Sequence, residues 1–158
     1  MSADEQIARA RTTPIERAAR IDRLVDLDVD RDTLWELIST QDGWCDWLVD
    51  EAQLVDGAGV VRDGDVIRHV RVDRVHAERS IGFTWWEHDD PSTVSHVTLE
   101  IADGRDRDDV GNGGVRDGAR LRITEQLIVG AARTPEAALA WEVRVCSLWA
   151  CTVAMALV

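Results

Sequence analysis

The chain has no lysine and no tyrosine, a single phenylalanine, and only three prolines and three cysteines. Its 18 basic residues, all arginine, stand against 30 acidic ones for a net charge of −12. That balance excludes the basic surface by which proteins hold nucleic-acid phosphates or anionic membranes. The arginine-only bias speaks to solubility and composition, not to fold. Cys45, Cys146 and Cys151 form no paired framework, so a reducing, cytoplasmic compartment is expected. The opening residues MSADEQIARARTTPIERAAR lack the continuous apolar stretch of a signal peptide. The longest uncharged run, Val145 to Val158, has 14 residues, against the ~20 of a bilayer span, so no membrane partner is expected. There is no GxSxG elbow and no phosphate-binding glycine loop. His69, His76, His88 and His96 share no face with carboxylates at zinc-ligand spacing, and Cys45 has no activating base evident beside it. No metal and no cofactor is expected.

What the chain does have is a concentration of aromatics. Ile81-Gly82-Phe83-Thr84-Trp85-Trp86-Glu87 holds the only Phe and two of the seven Trp residues. Aromatic and β-branched residues suit a half-buried pleated surface, so this is a strand. Ile81, Phe83 and Trp85 share one face, and Gly82, Thr84 and Trp86 the other. An outward Trp86 needs a partner of its own, and a subunit contact is the first expectation. A hydrophobic share of 45% in 158 residues is that of one globular domain with a real core.

Residues 1–16, polar and Ala/Arg-rich with Pro14, are read as a flexible extension ahead of one domain at 17–158. Arg17 to Val29 alternates as a first strand. Asp30 is placed to cap a helix carrying Leu34, Trp35, Leu37 and Ile38. Gln41-Asp42-Gly43 breaks that helix, and Trp44 to Leu48 forms a second short helix or turn. A strand near Ala52–Val55 precedes the turn-rich DGAGVVRDGD, and strands over Val66–Val75, Ser80–Glu87, Thr93–Ile101 and Ala119–Val129 follow. Between the last two, residues 103–118 are charged and Gly-rich, a mobile hairpin loop. Thr134, Pro135 and Glu136 suit the start of one long C-terminal helix. The sum is an α+β fold: a curved antiparallel sheet gripping a long helix, with two short helices after the first strand. The space between sheet and helix is the candidate site.

Several local patterns carry a resemblance. They are Val29-Asp30-Arg31-Asp32-Thr33-Leu34-Trp35-Glu36-Leu37-Ile38 in the first helix and Trp47-Leu48 at the end of the second. Phe83-Thr84-Trp85, Val97-Thr98-Leu99-Glu100 and Arg120-Leu121-Arg122-Ile123-Thr124-Glu125 lie on strands. In this order they resemble the SRPBCC superfamily, the helix-grip fold of START domains and birch-pollen-type allergens. Within it they are most similar to the branch named for the C-terminal domain of the activator of a heat-shock chaperone ATPase. The likeness spans residues 17–158. The acidic Gly-rich loop, the N-terminal extension and the strongly apolar last helix depart from it. It implies an internal apolar cavity and relatives that mostly bind hydrophobic small molecules, some being aromatases or cyclases and others acting on chaperones.

Phase counting picks out two inward charges. Arg23 shares a face with Ile21, Val25, Leu27 and Val29, and Glu125 with Leu121, Ile123, Leu127 and Val129. First and last strands are neighbours in this fold type, so the two are candidates to face each other. They would serve as a polar anchor or acid/base in an apolar cavity, or as an ion pair that only holds the fold. Among the tryptophans, Trp85 and Trp141 are best placed to stack on a ligand. The expected lining is Arg23, Trp47, Phe83, Trp85, Val97, Leu99, Ile123, Glu125, Trp141, Val145 and Leu148, with Glu125 the one candidate catalytic group. On the last helix Leu139, Cys146, Trp149 and Val153 form one apolar stripe, and Ala138, Trp141, Val145, Leu148 and Thr152 another. One stripe can face the sheet; the other needs a partner, either a second copy in a homodimer through this helix or the N-terminal segment and loops of the same chain. The function read from the residues is binding of a small hydrophobic molecule that the sequence does not name. The alternatives are a cyclase- or hydratase-like enzyme using Glu125 and a chaperone co-factor domain.

Overall fold

The computed structural model describes residues 19–102, 118–127 and 134–156. The expected extension at 1–16, all but the last residue of the expected loop at 103–118, Val129 and the capping side chain of Thr134 lie outside the described residues. β1 (Ala19–Leu27) leads into α1 (Arg31–Ser39) and α2 (Gln41–Trp47). Then come β2 (Glu51–Val55), β3 (Ala58–Asp63), β4 (Val66–His76), β5 (Ser80–Glu87), β6 (Ser95–Ala102) and β7 (Ala119–Leu127), before α3 (Thr134–Ala156). All seven strands join one antiparallel sheet in the order β1-β7-β6-β5-β4-β3-β2. The α+β helix-grip layout expected from the sequence is the one observed.

β3 departs from expectation, because it lies inside DGAGVVRDGD, a segment read as turn-rich with no strand assigned to it. Asp56 and Gly57 have φ of 53° and 78°, the left-handed pair that a two-residue hairpin requires. Gly64, with φ of 59°, serves the next reversal between β3 and β4. The Asp-Gly pairs are therefore the two ends of a short strand.

The helix pair is also more continuous than a break at Gln41-Asp42-Gly43 implies. Asp30 caps α1 as expected, its carboxylate accepting from the Thr33 backbone N–H at 2.7 Å. Thr40 closes α1 and opens α2: its hydroxyl donates to Glu36 O at 2.7 Å and accepts from the Gly43 N–H at 2.9 Å. The indoles of α2 then complete the end of α1. Trp44 donates to Ile38 O at 2.7 Å and Trp47 to Leu37 O at 2.8 Å, satisfying carbonyls that a helix C-terminus leaves open.

Alternation sets the sheet faces. β7 buries Ala119, Leu121, Ile123, Glu125 and Leu127, and β5 buries Ile81, Phe83 and Trp85, with Phe83 against Trp44 of α2 and Trp85 against Trp141 of α3. On the opposite face Trp86 stacks on His69 of β4, ring centroids 5.5 Å apart. The neighbouring strand thus supplies the partner for which a subunit contact was expected. On α3, Trp141 and Leu148 are fully buried, while Leu139, Val143 and Trp149 are 67%, 62% and 57% exposed. The Trp141 stripe faces the sheet and the Leu139 stripe faces away. By length and composition the stretch Pro135–Met155, mean hydropathy 1.3, also suffices to cross a bilayer. Counting uncharged residues alone misses this, because Glu136, Glu142 and Arg144 interrupt the run.

Gly43 is where α2 crosses closest to α1. A Cβ there would stand 2.3 Å from Glu36 O and 2.7 Å from Leu37 Cα. Gly→Ala within a helix ordinarily stabilises by roughly 0.5–1 kcal/mol, but here overpacking against backbone reverses the sign, at about 1–3 kcal/mol. Gly43→Ala should lower the thermal midpoint by roughly 3–10 °C; an unchanged or raised midpoint in a melting curve would refute the close approach.

Candidate functional site

A carboxylate taken out of water needs donors, and Glu125 is 4% exposed. Three neighbours supply them. Ser95 of β6 donates to Oε1 at 2.6 Å, Trp85 of β5 donates to the same oxygen at 3.1 Å, and the Trp141 indole of α3 donates to Oε2. The Trp85 N–H also reaches Ser95 Oγ at 2.8 Å. One side chain thus links three strands to the helix.

Arg144 follows Trp141 on the inward stripe of α3. Its guanidinium lies 4.9 Å from the Trp85 ring centre and 4.8 Å from that of Trp141. Arg68 of β4 approaches the Trp85 ring at 5.0 Å. Arg144 donates to Asp63 at 3.2 Å. Arg68 stands 4.0 Å from Asp63 and 3.9 Å from Glu87. Burial pulls the Arg144 guanidinium below its ordinary pKa, and Arg68 beside it pulls the same way, against Asp63 and Glu125. An aromatic file runs inward from this end, with centroid spacings of 6.2 Å for Trp141–Trp85, 5.3 Å for Trp85–Phe83 and 4.7 Å for Phe83–Trp44.

Where these groups meet the start of α3, a cleft of about 120 Å³ opens, lined by Arg68, Trp85, Glu87, Thr93, Ser95, Glu125, Leu127, Glu136, Ala137, Ala140 and Arg144. A wider cleft of about 470 Å³ lies on the outer sheet face between Asp73, Arg74, His76, Arg79, His96 and Glu100. There Thr84 and His96 hold Asp73, with the Thr84 hydroxyl donating to its carboxylate at 2.5 Å. That hydrogen bond, more than the nearby Arg71, keeps the Asp73 carboxyl below the usual range. The long side chains of Arg74 and Arg79 are exposed. The inner cleft is the candidate site because buried charge, aromatic faces and an opening coincide there.

Of the residues expected to line a cavity, Trp85 and Glu125 line this cleft. Trp47, Phe83, Val97, Leu99, Ile123, Trp141 and Leu148 are buried together in the core, with Val145 packed against them. They fill the volume that a large cavity would occupy. Arg23 does not meet Glu125. The β1–β7 register sets Arg23 opposite Ile123 and Glu125 opposite Ile21, and the Arg23 side chain reaches out to Glu142 of α3 at 2.8 Å. The other nine lining residues escaped the sequence reading, among them the polar Arg68, Ser95 and Arg144. Each of the latter had a phase signal, Arg68 sharing a face with Val70, Ser95 with Val97, and Arg144 with Trp141 and Leu148.

No protein-family model matches the sequence, and no curated protein matches it. Solved structures do. CalU16 from Micromonospora echinospora is similar at TM-score 0.65 and 18% identity, over 90% of this chain and 81% of that one. The Aha1 dimer from Colwellia psychrerythraea gives TM-score 0.67 at 11% identity, over 85% of this chain and 96% of that one. The fold this chain shares with them is the helix-grip fold. DynU16, a putative protein in the dynemicin biosynthetic locus, gives TM-score 0.61 at 16% identity over 82% of this chain; the match spans 45% of DynU16. At such identities the likeness is one of fold, and function has to be argued from the site.

Replacing the carboxylate tests the clamp. In Glu125→Gln the amide NH₂ must face one of the donors Ser95, Trp85 or Trp141, leaving buried donors opposed at a cost of about 1–3 kcal/mol. The expected drop in thermal midpoint is roughly 3–10 °C, and a variant that melts with the wild type would show that the clamp does not hold the fold.

Proposed function

We propose that this protein binds a small, mostly apolar molecule at the Trp85–Glu125–Arg144 end of the space between sheet and helix, holding it rather than transforming it. The observation that carries the reading is the convergence of buried polar and aromatic groups on one opening. Size narrows the ligand. A dry cavity of roughly 150 Å³ takes benzene, whereas drug-sized ligands occupy ~300–1,000 Å³. The cleft, at about 120 Å³, therefore suits one ring, or the ring end of a longer molecule. Leu127, Ala137 and Ala140 offer the apolar wall, worth about 25 cal/mol per Å² of apolar surface covered.

The three donors on Glu125 support a holding role for it over that of an acid/base. Neither the cyclase- or hydratase-like alternative nor the chaperone co-factor branch has a comparable observation behind it. The proposal extends to assembly. Leu139, Val143, Trp149 and Met155 leave an apolar stripe exposed on α3, and two-fold pairing lets one such stripe cover another. A similar solved structure is that of a dimer. Three free thiols suit a reducing, cytoplasmic setting.

Native mass spectrometry of protein taken directly from cells tests both parts. The expected species is two chains carrying a small-molecule mass that is lost on denaturation. A bare protein mass would defeat the binding proposal. A single-chain mass, or recovery only from detergent-extracted membranes, would defeat the dimer.

A further inference from the structure

We infer that the ligand presents a neutral carbonyl oxygen, held jointly by Arg144 and Arg68, on a ring that fills the cleft; this rests on the cleft being the binding site. Arg144 is 5% exposed and carries five N–H donors. Its Nε is buried with no hydrogen-bond partner, and so is Nη1 of Arg68. The carboxylates near Arg68, at 4.0 and 3.9 Å, are within ion-pair distance but beyond hydrogen-bond reach. A buried donor left unmade costs about 1–3 kcal/mol, and more when charged. Both arginines line the cleft, and both guanidiniums are fixed near the Trp85 ring. The site is therefore short of an acceptor.

Charge decides which acceptor. Glu87, Glu125 and Glu136 line the same cleft as the two arginines, and Asp63 is bonded to Arg144. The guanidinium charge is already answered. An incoming carboxylate would meet like charges in a partly buried space where water screens poorly. A carbonyl oxygen brings two lone pairs and no charge, so it can accept from both arginines at once. The ligand class is then an aryl or cyclic carbonyl compound.

The test titrates isotope-labelled full-length protein with three probes of one size: acetophenone, ethylbenzene, which lacks the oxygen, and benzoate, which is charged. Acetophenone should bind at least about ten-fold tighter than either, shifting the Trp85 indole N–H and the Arg144 Nε–H resonances. Arg144→Lys keeps the charge but loses the planar fork; it should abolish the preference for acetophenone over ethylbenzene, bringing the ratio of their affinities to about one. If that variant fails to fold, Arg68→Lys should show the same loss of preference. Equal binding of acetophenone and ethylbenzene would overturn the carbonyl inference while leaving the cleft as a binding site. Tightest binding by benzoate would overturn its neutrality, and no response to any probe would overturn the inference and the binding reading together.

Discussion

Glu125 is almost fully buried, and its carboxylate is met by two indole N–H groups and one hydroxyl from three other elements. Much of the interior follows from that arrangement. The Trp141 indole must point at β7, which fixes the rotation of α3 about its own axis. That rotation puts Arg144 and Leu148 on the sheet side and Leu139 and Trp149 on the outside. The exposed Arg23–Glu142 pair also joins sheet to helix, but an ion pair in water contributes only ~0–1 kcal/mol. A buried carboxylate whose donors come from three other elements cannot be loosened at one of them without leaving charge unpaired.

The cleft is a consequence of the same clamp. The carboxylate collects the two indoles, and the stacked pair offers a platform over which Arg144 settles, with Arg68 approaching the Trp85 ring from β4. The carboxylates that balance these arginines leave two buried donors, Arg144 Nε and Arg68 Nη1, without hydrogen-bond partners. The structural role and the proposed binding role therefore fall to one group of residues. Beyond it, the described apolar side chains under the helix are buried in one core.

The parts of this that alternation encodes were legible in the sequence. The aromatic strand, its inward Ile81, Phe83 and Trp85, the buried phase of Glu125 and the inward stripe of Trp141 and Leu148 all follow from period-two and helical spacing. Other features depend on three-dimensional register or volume. Arg23 and Glu125 share a face, yet the pairing offset and the reach of arginine send Arg23 to the helix edge. Trp86 faces outward as its phase requires, but its partner His69 sits on a strand whose alignment no local pattern reveals. β3 was obscured because its bounding Asp-Gly pairs look like continuous turn. Whether tryptophans line a cavity or fill it depends on packed volume, which composition does not carry.

Hydrogen–deuterium exchange of the indole N–H groups in the unmodified protein tests the clamp most directly. If Glu125 holds helix to sheet, the Trp85 and Trp141 indole protons are released only by the opening that releases the backbone amides of α3 around Leu148, and all exchange at one slow rate. Rapid loss of the Trp141 indole proton while those amides stay protected would contradict the account.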